Sequence, residues 1–97
     1  MQSLRDTREA AEMLAIQALA FIAEETVRLD RFLAVTGLER ERIRAAAREP
    51  SFLAGVLEHM LGDESLLIAF CRSTGIDPAE IARASSALGG QWERDLP

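Results

Sequence analysis

The sequence predicts an all-α fold, a compact bundle of about six short helices. Three observations carry that expectation. Ala, Leu, Arg and Glu make up the bulk of the chain and all favour helix, while aromatics are only 5%. Apolar residues recur at helical spacing in successive segments. Glycine, proline and acidic residues punctuate those segments where helices would stop and start. A chain of 97 residues suits one domain, and 48% hydrophobic content is enough to fill one core.

Asp6-Thr7-Arg8-Glu9 reads as a helix start, with a cap oxygen and an acid three residues on. The first helix should run from about Thr7 to Glu24. Its large apolar residues are Met13, Leu14, Ile16, Leu19, Phe21 and Ile22, and they fall all round a helix turning about 100° per residue. Such a helix is buried in the centre of a bundle or covered by a partner. The simplest partner is a second copy, giving a homodimer through this helix. The second helix starts near Thr26 and carries Val27, Leu29, Phe32 and Leu33 inward. Gly37 ends it in the left-handed position after the last turn. The third, about Glu39 to Arg48, is short, with Ile43, Ala46 and Ala47 on one face.

Pro50 suits the first turn of the fourth helix, which presents Phe52, Leu53, Val56, Leu57, Met60 and Leu61 and closes at Gly62. Asp63 can cap the fifth, which carries Leu66, Leu67, Ile68, Phe70 and Cys71 and stops at Gly75. Asp77-Pro78-Ala79-Glu80 then offers a cap, a proline at the first helical position and an acid to reach back. The sixth helix follows to about Leu88, completing a single helical domain over 1–88. Gly89-Gly90 release a polar, flexible tail over 89–97.

The corner spelled FCRSTGIDPAEI occurs twice. Residues 31–46 align with 69–84: Phe32 with Phe70, Thr36-Gly37 with Thr74-Gly75, Leu38 with Ile76, Ile43 with Ile81 and Ala46 with Ala84. Each copy reads as a helix, a glycine stop, an apolar plug and a short second helix, which is the grammar of a helix-turn-helix. Use at two places favours a structural cause, with the phenylalanine, the plug and the isoleucine packing together.

Three blocks in order, AIQALAFIAEE, RFLAVTGLERERIRAAAREPSFLAGVLEHML and DESLLIAFCRSTGIDPAEIARA, resemble a small bacterial family described as domain of unknown function 3572. The resemblance covers roughly residues 8–88. It implies a compact helical protein and transfers no activity and no functional residue. The LEHML run departs from the more apolar or aromatic stretch expected there.

Net charge is −5, and all 11 Lys+Arg residues are arginine. The charge is unevenly placed. Residues 28–48 hold six arginines, at 28, 31, 40, 42, 44 and 48, against only Asp30, Glu39 and Glu41. One basic segment on an acidic chain hints at a docking face. Arg40, Arg44 and Arg48, spaced four apart, form a stripe on the third helix and are candidate partner-binding residues for an acidic protein surface. They otherwise form a solvated face. Trp92 is a second candidate anchor, since tryptophan is enriched among interface hot spots.

The same arginine segment supports the rival reading, a nucleic-acid-binding regulator of helix-turn-helix type. The second copy opposes it, since its helix carries one arginine and an acidic start, whereas phosphate binding needs several basic contacts. A small-ligand or enzymatic bundle is the weaker third reading. Its only soft ligands, His59 and Cys71, are too few for a closed zinc site. Cys71 reads as a buried small hydrophobe and His59 as a local partner of Asp63. There is no Gly-rich phosphate loop, Walker motif or HExxH, so no cofactor, no metal and no enzyme activity are expected. No run reaches the roughly eighteen apolar residues of a membrane span. Acids precede the apolar run at Met13–Ala23, where a secretory signal would be basic, so a cytoplasmic protein is expected.

Overall fold

A computed structural model of the protein describes residues 4–94, with side chains over 7–89. Helix α1 spans Leu4–Ala23, α2 Thr26–Thr36, α3 the single turn Ile43–Ala46, α4 Pro50–Leu61, α5 Glu64–Thr74 and α6 Pro78–Arg94. A 3-10 turn, Arg40–Arg42, leads into α3. There is no strand among the described residues, and the fold is an all-α bundle. Its radius of gyration, 13.2 Å, is that of one compact domain of this length.

Helices α1, α4 and α6 pack mutually and enclose the core; α2 leans on α1, and α5 on α4. Each contributes one helical stripe. Ala11, Ala15, Ala18 and Ile22 come from α1, Leu53, Val56, Leu57 and Met60 from α4, and Ile81, Ala84 and Leu88 from α6. Phe32 of α2 and Phe70 of α5 are fully buried. Phe70 meets Phe21 edge-on at 5.3 Å, and Phe32 meets Phe52 at 5.9 Å.

Of the two settings expected for α1, enclosed by the bundle or covered by a partner, the structure excludes the first. Ala11, Ala15 and Ala18 face inward with Leu19, Phe21 and Ile22, while Met13 is 71% exposed and Ile16 49%. Where α1 packs on α4 and α6, alanine at 11, 15 and 18 is the small side chain that permits close helix packing. The helix also starts at Leu4 and ends at Ala23, so Asp6 lies within it instead of capping it. Val27 is 70% exposed, because it projects to the opposite side of α2 from the buried Leu29.

The third helix is the second correction. In place of one helix from Glu39 to Arg48 there is a 3-10 turn, one α-turn and a further turn at Ala47 and Arg48. Arginines four apart repel along a helix, and Arg40 is drawn back to Asp30 of α2. Helix α6, by contrast, continues through Arg94, past the expected stop near Leu88. Glycine inside a helix costs only about 1 kcal/mol relative to alanine, and buried Leu88 anchors this turn. Asp95–Pro97 of the expected tail lie outside the described residues.

The glycine stop is built as the sequence reads in both corners, although only the second is followed by a full helix. Gly37 and Gly75 take left-handed φ of 72° and 78°. Their N–H groups donate to Leu33 and Cys71 carbonyls, each at 2.8 Å. Asp63 caps α5 by accepting from the Leu66 N–H at 3.1 Å. Asp77 accepts from the Ala79 N–H at 2.8 Å, with Pro78 opening α6.

Candidate functional site

The six arginines of residues 28–48 divide by what holds them. The Arg28 guanidinium lies 4.3 Å from the Phe21 ring centroid, a cation–π contact, and 3.5 Å from Glu25. Arg31 reaches Asp63 at 3.5 Å, linking α2 to the start of α5. Arg40 hydrogen-bonds Asp30 at 2.8 Å. Arg42 sits 3.7 Å from Glu39 in an exposed pair. Arg44 and Arg48 are exposed and pair with no described residue.

The stripe Arg40, Arg44 and Arg48 is therefore not one helical face. Arg40 stands in the 3-10 turn and is neutralised, Arg44 lies in α3 and Arg48 follows it. Trp92 falls on α6, with its side chain outside the described set.

A cavity of about 170 Å³ opens where α2 faces the α4–α5 corner. Arg28, Arg31, His59, Asp63 and Ser65 supply its polar lining. His59 does not pair with Asp63 as expected. Its ring stands edge-on to Phe32 at 5.0 Å, and no hydrogen bond joins it to the carboxylate. The Asp63 oxygens are already committed to the Leu66 N–H and to Arg31. Burial pulls the His59 pKa down from its ordinary value. The Asp63 charge opposes that pull, and Arg31 adds to it. Burial and Arg31 thus both favour the neutral imidazole.

His59, Asp63 and Ser65 share this cavity but do not form a nucleophile–base relay, which needs hydrogen bonds in series. Cys71 is half-buried, more open than the sequence reading had it. Burial first, and then the Asp77 carboxylate, push its thiol pKa up, so it stays protonated and poorly nucleophilic. His59 and Cys71 answer to different neighbours. Among the described residues no three His, Cys, Asp or Glu side chains gather as a metal site. Ser65 does not stand out in the sequence, and Arg31 does so only as one of the six arginines of residues 28–48; the local signal was the four-residue spacing of His59 and Asp63.

A family model described as Protein of unknown function (DUF3572) matches residues 8–91. The chain belongs to the DUF3572 family. It matches no curated protein and no solved structure. The match takes in α2 to α5 entire, so the arginine segment and the Arg31–Asp63 cleft both lie inside the DUF3572 region. In this DUF3572 chain no helix among the described residues is long and apolar enough to cross a membrane.

Proposed function

We propose that the protein is an interaction or adaptor module that docks an acidic surface of another protein through the arginine-rich segment 40–48. The observation that carries this reading is the state of Arg44 and Arg48. Both are exposed and without an ion pair among the described residues, while Arg28, Arg31, Arg40 and Arg42 are each held by a carboxylate. A guanidinium keeps a fork of donors that fits a carboxylate bidentately, so two unengaged ones on a short turn suit an acidic partner. A groove-reading role fits less well, because the segment's helix is a single turn. A cytoplasmic setting belongs to the same proposal and rests on the acids preceding the apolar run of α1.

The test is capture from native cell extract, run with and without nuclease, for the wild type and for Arg44→Glu/Arg48→Glu. A partner that survives nuclease and is lost with the double variant, at unchanged stability, supports the proposal. Capture indifferent to the reversal overturns it. Material lost on nuclease treatment transfers the segment to nucleic-acid binding.

A further inference from the structure

We infer that the α1/α6 face of this protein takes a second copy of the same chain, with Met13 as the projecting group and an alanine-floored groove beside it as the receiver. This surface is separate from the arginine segment. Along α1, Met13, Ile16, Ala20 and Ala23 are all exposed. Their three–four–three spacing is that of a helix-pairing seam. They run down the side opposite the buried Ala11, Ala15, Ala18 and Ile22, in line with the exposed Glu9, so α1 carries a second row of apolar residues that its own core does not use.

Beside Met13, α1 and α6 leave an open groove of about 750 Å³. Ala10, Ala84 and Ala87 keep it shallow-walled, and Leu14 and Ile76 add apolar surface. A two-fold interface requires one patch to carry both what projects and what receives. Met13 lies on the groove's edge and is itself highly exposed, which meets that requirement.

The charges choose the occupant. Glu80 and Arg83 both line the groove, three residues apart on α6. Both are exposed, and neither is paired with the other or with any described residue. A uniformly acidic or basic partner would satisfy one and repel the other. A two-fold axis can set each against its opposite on the second copy, so the charge pattern complements itself.

The experiment is sedimentation equilibrium of the full chain over a wide concentration range at low salt. The wild type should show a monomer–dimer equilibrium. Met13→Glu/Ile16→Glu should leave only monomer with unchanged circular dichroism, since both positions are exposed. Arg83→Glu should weaken the dimer about tenfold by setting acid against acid. Glu80→Arg/Arg83→Glu should restore it, a rescue that no foreign partner would produce. A wild type that stays monomeric throughout, or a dimer indifferent to Met13→Glu/Ile16→Glu, overturns the inference.

Discussion

Thr74 closes its own helix on Phe70: its Oγ1 donates to the Phe70 carbonyl at 2.8 Å and accepts from the Ile76 N–H at 3.2 Å. Thr36 does the same with Phe32 at 2.9 Å and Leu38 at 3.3 Å. One hydroxyl thus satisfies an end-of-helix carbonyl and the first N–H beyond the glycine. Valine keeps the shape and removes both bonds. Thr74→Val should cost about 1 kcal/mol. Thr36→Val should cost less, because its Leu38 contact is exposed and water can replace it. Urea denaturation checks this, as a lower midpoint with unchanged slope.

The glycines of the same corners give a second test, with opposite signs at different sites. A Cβ at Gly37 or Gly75 would meet nothing within 4 Å, so the obstacle is backbone strain alone. At φ near +75° that strain is about 1 kcal/mol for a side chain. Gly37→Ala and Gly75→Ala should each destabilise by about that much. Gly55 lies inside α4 with equally open space around a Cβ and no left-handed backbone. Gly55→Ala should stabilise by about 0.5–1 kcal/mol. Thermal melts of the three variants decide it by sign.

The corners were legible because their causes are local. Threonine, glycine and the next apolar residue act within one turn, so their order in sequence is their order in space. The inward face of α1 was not legible. When apolar side chains occur at every angle, periodicity cannot choose between faces; the choice rests on how closely α4 and α6 approach, which favours Ala11, Ala15 and Ala18 over Met13 and Ile16. The single helical face expected for the arginine stripe is absent for a related reason. Its four-residue spacing describes a continuous helix, but Arg40 bonds Asp30, ten residues back, and that long-range pull is invisible in a local pattern. The Arg31–Asp63 cleft depends on α2 meeting the α4–α5 corner and lay equally out of reach.

His59 is the only histidine, so its titration can be followed without ambiguity. Its pKa is lowered in the folded protein, chiefly by burial. Below the unfolded value of 6.5 the unfolded chain therefore binds more protons than the folded one. Stability is full above that pH and should fall as pH drops from there through the folded pKa. His59→Gln should flatten this part of the profile. Proton NMR should place the wild-type midpoint below 6.5. A midpoint at or above that value would contradict the burial against Phe32.

Phe32 and Phe70 occupy equivalent places in the two corners, and both are fully buried. Truncating either to alanine should cost about 3–5 kcal/mol, a large share of the roughly 5–15 kcal/mol that holds a domain folded. Their neighbours differ. Phe70 stacks edge-on with Phe21, whose ring also meets the Arg28 guanidinium. Phe32 holds Phe52 and also the His59 ring. Phe32→Leu should therefore loosen the packing that buries His59 and bring its titration back toward 6.5, the ordinary value. Phe70→Leu, at comparable loss of stability, should leave the His59 titration where it was. Following the histidine resonance in both variants separates a general loosening of the bundle from the specific contact between Phe32 and His59.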